Sequence, residues 1–134
     1  MMRMNRRHIV AALAALSLPT AAWGKANKKR KVATLYGLIG KMTAKPGQRA
    51  ALAAILVEGI SEMPGCLSYI VANDPANADL LWITEVWESQ AAHVASLSLP
   101  SVKEAITKGR PLIAGMESVA ETSPVGGQGL KAAK

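Results

Sequence analysis

The side chains best suited to chemistry in this 134-residue chain lie between Tyr69 and Arg110. His93 comes first, because an imidazole titrates close to neutral pH and can take or give a proton there. It follows Ser89 by four positions, so on a helix the two share a face. It reads either as a base or hydrogen-bond donor, or as a structural histidine bonding across to Glu85 or to a partner subunit. Glu85 and Trp87 alternate onto one face of an apolar strand, and Trp82 and Thr84 onto the other. A carboxylate flanked by Thr84 and Val86 needs a partner if it is buried. That partner is His93, which Glu85 would orient, or a substrate hydroxyl, or a Lys or Arg.

Four further residues are candidates for holding a ligand. Trp87 and Trp82 offer flat apolar walls, or else core and dimer contacts. Tyr69 offers a hydroxyl on the preceding strand, or is an ordinary strand tyrosine. Arg110 stands before Pro111 in a loop and suits an anionic or oxygenated group. A metal site is not expected, since Cys66, His93 and His8 make no ligand pair at a fixed spacing. Cys66 is the one cysteine, so no intramolecular disulfide can form, and it reads as a small buried hydrophobe.

The elements that position these residues follow from the pattern. Val32 to Met42 is apolar and β-rich and reads as a first strand, with Gly37 and Gly40 marking a bulge or close approach. Lys45-Pro46-Gly47 is a turn. Leu52, Ile55, Leu56, Ile60 and Met63 fall on one face of a helix from Gln48 to Met63, stopped by Pro64-Gly65. Cys66 to Ala72 is a second strand, turned by Asn73-Asp74-Pro75 into a third, Leu80 to Trp87. Ser89 caps a helix from Gln90 to Leu97. Pro100 breaks that helix, and Ser101-Val102-Lys103-Glu104 reads as a capping box opening another, which ends at Lys108-Gly109. Ile113 to Thr122 is a fourth strand. The order is βαββαβ, the ferredoxin-like α+β arrangement. Apolar residues on both parities of the third strand (Leu81 and Ile83, Trp82 and Val86) say that both sheet faces want burial, which a homodimer supplies.

The N-terminus reads as a separate unit. Met1 to Arg7 carries three arginines and no acid, Ile9 to Leu18 is apolar, and small residues surround Trp23. These are the parts of a cleaved secretory signal over residues 1–24, and the apolar run is too short for a membrane span. Arg6-Arg7 admits a twin-arginine or an ordinary Sec route. A periplasmic or secreted destination follows. Residues 25–31 form a basic linker, 32–122 the domain and 123–134 a tail without core-forming residues. The formal charge is +7, yet residues 32–130 hold six basic residues against nine acids, a net of −3. The basicity belongs to the ends. Lys25 to Lys31 lacks aromatic residues for stacking on bases, so nucleic acid is not expected. At most the linker touches anionic headgroups weakly.

Three short stretches carry a resemblance. Pro64-Gly65-Cys66-Leu67-Ser68-Tyr69, Ile83-Thr84-Glu85-Val86-Trp87-Glu88-Ser89 and His93-Val94-Ala95-Ser96 stand in order over residues 33–122. Together the chain resembles the antibiotic biosynthesis monooxygenase family, with its quinol monooxygenase branch as the nearest pattern. The resemblance implies a dimeric α+β barrel and oxidation of quinols or electron-rich phenols by O2, with no flavin, haem or metal cofactor. On that reading His93 and Glu85 are the catalytic candidates, with Tyr69, Trp87, Trp82 and Arg110 as candidates for holding a small aromatic substrate. A non-catalytic dimeric binding protein for a small aromatic ligand fits the same pattern, and so does a haem-linked member. The chain departs from its relatives in two ways. No second His follows His93, and Val32 to Met42 lacks the Asn of haem-degrading relatives, which disfavours haem cleavage.

Overall fold

The computed structural model describes residues 34–130; the signal and basic-linker readings fall outside them. The elements are β1 (Tyr36–Ala44), α1 (Arg49–Gly59), β2 (Cys66–Asn73), β3 (Leu80–Trp87), α2 (Gln90–Ser96), α3 (Pro100–Gly109), a 3-10 turn (Arg110–Leu112) and β4 (Ile113–Thr122). The strands form one sheet in the order β2-β3-β1-β4, with every neighbouring pair antiparallel. This is the ferredoxin-like α+β topology expected from the order of elements, with two helices in the second connection.

Register decides which side chains share a face. Leu38 lies opposite Glu85, Gly40 opposite Ile83, and Met42 opposite Leu81. Tyr69 lies opposite Glu85 from the other side. Alternation therefore puts Leu81, Ile83, Glu85 and Trp87 on the helix-covered face, where Met42, Ala44, Leu52, Leu81 and Ile83 make the core. Trp87 is also buried, at 1% exposure. On the opposite face Ile70 is 55% exposed, and the Lys41 ammonium sits 4.7 Å from the Trp82 ring centre.

Local chemistry sets the turns. Asp74 Oδ1 accepts from the backbone N–H groups of Ala76 and Asn77, both at 2.8 Å, which closes the β2–β3 turn. Arg49 Nη1 donates to the carbonyls of Asp74 and Asn77 at 3.0 and 2.8 Å, tying the start of α1 to that turn. Gly65 has φ of +80°, and a Cβ there would lie 2.7 Å from the Ala92 Cβ. Only glycine combines that backbone with so close an approach of α2.

Several sequence expectations move. β1 starts at Tyr36 rather than Val32 and runs on to Ala44, because its ladder with β3 begins at Tyr36–Trp87 and β4 holds its far end. α1 ends at Gly59 rather than Met63. A Cβ at Gly59 would lie 2.6 Å from the Ala105 Cβ, so the helix ends where it packs tightly on α3 and its apolar pattern runs on as a turn. Pro100 does not merely break a helix: it occupies the first turn of α3, where the missing N–H costs nothing. The expected capping box is absent. Leu99 is the N-cap without a side-chain bond, and Glu104 pairs with Lys108 at 2.7 Å instead. Ser89 caps α2 as expected, accepting from Ala92 N at 3.1 Å. No helix among the described residues is long and apolar enough to cross a membrane.

Candidate active site

A cavity of about 610 Å³ opens between the helices and their sheet face. Its walls are mostly aliphatic, with Leu38, Leu56, Met63, Ile83, Leu97 and Val102 among them. Tyr69, Glu85, Trp87, His93, Ser96 and Arg110 are among the lining side chains with polar atoms, together with Lys41, Glu117 and Ser118. A large apolar pocket with a few convergent polar groups is the usual form of a small-molecule site.

Three of these residues form a tight cluster. The Trp87 Nε1–H donates to Glu85 Oε2 at 2.7 Å, short enough for a charge-assisted bond. His93 Nε2 approaches the same oxygen at 3.7 Å, an electrostatic neighbour beyond hydrogen-bond distance. Trp87 and Glu85 sit two apart on β3, so alternation alone brings them to one face. Ser89 fixes the start of α2, and His93 one turn later points back over that face. The Ser96 hydroxyl donates to the His93 carbonyl at 2.6 Å and tightens the same turn.

The imidazole is held by two aromatic rings. Trp87 meets it edge-on at 5.4 Å between centres and 74° between planes, and Tyr36 lies at 5.7 Å and 47°. Such tilted pairs are the favoured geometry of aromatic contacts. The Tyr36 hydroxyl donates to Glu121 Oε1 on β4 at 3.1 Å.

Electrostatics separate the two carboxyl and phenol groups. Burial raises the Glu85 carboxyl above its ordinary range, and the Trp87 donor and then His93 oppose that rise. The Tyr69 phenol is pushed up strongly, first by burial, then by the facing Glu85 and by Cys66. It therefore stays protonated as a donor. Among the described residues its hydroxyl has no hydrogen-bond partner, so it is available to a ligand.

Of the six residues singled out by sequence, the cavity brings together His93, Glu85, Tyr69, Trp87 and Arg110. Trp82 is the correction. It lies on the opposite sheet face, where its Nε1–H donates to Asp74 Oδ2 at 2.8 Å. That bond, with two backbone donors, holds the Asp74 carboxyl below its ordinary range. Arg110 stands on the 3-10 turn after α3 rather than in an open loop. Cys66 is half-buried rather than buried, with Sγ 3.6 Å from the Ser68 carbonyl. Sequence reasoning missed Tyr36 and Ser96. Tyr36 could have been found only from the β1–β3 register, which sets it opposite Trp87. No group of three His, Cys, Asp or Glu among the described residues is placed to hold a metal ion.

The fold and the site define a ferredoxin-like α+β protein with a mostly apolar pocket beside the Trp87–Glu85–His93 cluster. Residues 35–108 match the model of the antibiotic biosynthesis monooxygenase family, and the chain belongs to that family. A solved structure from Chloroflexus aurantiacus that carries the family's name is 66% identical, with a TM-score of 0.71, covering 73% of this chain and all of that one (100%). A second from Caulobacter crescentus shares 18% identity and a TM-score of 0.61, covering 71% of this chain and 93% of that one. SnoaB, a cofactor-independent oxygenase from Streptomyces nogalater, shares 15% identity and a TM-score of 0.60, with 72% and 98% covered. The latter two likenesses concern the fold. No protein of curated function matches the chain.

Proposed function

We propose that the chain is a cofactor-independent monooxygenase that oxidises quinols or related electron-rich phenols with O2. The observation that carries this reading is the Trp87–Glu85–His93 cluster against a cavity whose walls are mostly aliphatic. The similarity in fold to a cofactor-independent oxygenase supports it.

The chemistry asks little of the protein. His93 takes the proton of a bound hydroxyl, and the adjacent Glu85 carboxylate stabilises the resulting imidazolium. Tyr69 donates to a second oxygen of the ring. The phenolate passes one electron to O2, and the radical pair combines to form a carbon–peroxide bond. Protonation and O–O cleavage then release water. For a dihydroxyarene the balance is substrate plus O2 giving hydroxylated quinone plus water, both water hydrogens coming from the substrate. The aliphatic walls exclude bulk water and hold the ring in reach.

The same reading includes a second copy covering the face that carries Trp82 and Ile70, and export directed by residues 1–24. Sedimentation of the purified protein tests the first. N-terminal sequencing of protein recovered from a periplasmic fraction tests the second, with cleavage after Gly24 expected. The activity is tested in an oxygen electrode with a naphthoquinol and metal-free buffer. Uptake above autoxidation, without accumulating hydrogen peroxide, supports the proposal, whereas a rate equal to autoxidation removes it and leaves a binding protein.

A further inference from the structure

Arg110 is among the polar residues of the cavity that have no part in that chemistry. It lines the cavity from the 3-10 turn after α3, while His93 and Glu85 line it from α2 and the far end of β3. The strand ladder measures how far apart these ends are. Glu85 pairs with Leu38 near the start of β1, and Leu112, two residues after Arg110, accepts from the Lys45 N–H just beyond its end. Leu38 to Ala44 is roughly 20 Å of extended chain. Arg110 is solvent-exposed at its end of the cavity, and the lengths of the Glu85 and Arg110 side chains bring the span a ligand must bridge to on the order of 10 Å. Aliphatic side chains line the interval, Met42, Leu52 and Ile113 among them.

The charge on Arg110 is uncommitted. Among the described residues its side chain makes no hydrogen bond or ion pair, although Glu117 lines the same cavity. A guanidinium presents a planar fork that matches a carboxylate with two parallel bonds. The volume of about 610 Å³ is also in the middle of the range that encloses a drug-sized molecule, well beyond one aromatic ring.

We propose that Arg110 forms an anion subsite at the end of the cavity remote from His93 and Glu85. The substrate is then an elongated amphipathic hydroxyarene, with its ionisable ring at His93 and a carboxylate about 10 Å away on an apolar spacer. This rests on the oxidative reading for its ring end only. The subsite itself is a statement about binding.

The test compares two ligands of equal length, a hydroxynaphthyl-hexanoate and the corresponding hexylnaphthol. Each is titrated anaerobically into the full chain while tryptophan fluorescence is followed. The proposal expects the carboxylate to bind roughly five- to tenfold more tightly than the methyl-ended ligand at low salt. Arg110→Gln should erase that preference and leave hexylnaphthol affinity unchanged, and Arg110→Lys should keep part of it. Equal affinities in the unsubstituted protein, or a preference that survives Arg110→Gln, overturn the subsite. If hexylnaphthol binds and His93→Ala weakens it while the carboxylate adds nothing, the subsite alone fails. If neither ligand binds, the oxidative reading fails with it.

Discussion

Replacing Trp87 by phenylalanine isolates the bond that organises the site. The change keeps an aromatic ring in the core and against His93, but removes the indole N–H that donates to Glu85 at 2.7 Å. The Glu85 side chain is only 15% exposed, so water can replace the donor in part. A hydrogen bond to a charged group contributes about 1.5–3 kcal/mol, and partial replacement by water argues for the lower end, about 1.5 kcal/mol. The loss has a pH signature. Because Glu85 titrates above its ordinary value of 4.5 in the folded chain, the folded state binds its proton more readily. Stability is then complete below the ordinary value and falls as pH rises through the raised one. The Trp87 donor opposes that fall, so its removal makes the fall steeper. Urea unfolding at pH 4 and pH 8 measures the effect. Trp87→Phe should differ from the parent by a packing cost alone at the lower pH, and by about 1.5 kcal/mol more at the higher. Adding Glu85→Gln, an amide without the charge, should remove the pH-dependent part. Equal destabilisation at both pH values would falsify the account, because the indole would then act through packing and not through the carboxylate.

Other expectations follow from single contacts. His93→Gln should lower turnover of a naphthoquinol by about 10²- to 10⁴-fold, the range for a lost general base, while thermal unfolding stays near that of the parent. Gly65→Ala forces a side chain onto φ of +80° and against Ala92, so it should cost about 1–3 kcal/mol in urea melts and displace the helix carrying His93. Tyr36→Phe keeps the ring against His93 and removes the surface hydroxyl that donates to Glu121, so it should keep kcat within about twofold. Trp82→Phe should leave kcat intact but flatten the loss of stability in acid. Asp74, held below its ordinary 3.8, stabilises the fold above that value and loses its contribution as pH falls through the folded one.

Much of the scaffold was legible because it rests on local signals. Alternation gave β3 its bounds of Leu80 to Trp87 and placed Glu85 and Trp87 together. Ser89 announced the start of α2, and with it the level of His93. What stayed hidden depends on contacts between distant segments. Gly59 ends α1 where α3 crosses it, and no local pattern shows that Ala105 lies there. Tyr36 reaches His93 only through the pairing of β1 with β3. Trp82 was separated from Trp87 by parity, yet which face carried the cavity waited on the helices. The Pro100 and Ser101 signals show the same limit. Both start-of-helix chemistries were present within two residues, and the proline at the first turn prevailed over the serine cap.

The central claim is that this cavity inserts one atom of O2 into a phenolic ring using only its own side chains. The most direct test is turnover of a naphthoquinol under heavy-oxygen-labelled O2, with metal-free and cofactor-free protein and mass analysis of the product. The account predicts one labelled oxygen per product molecule, the other appearing in water, and near-complete loss of labelled product with His93→Ala. A product formed at the parent rate without the label, or with the label but unaffected by His93→Ala, contradicts it.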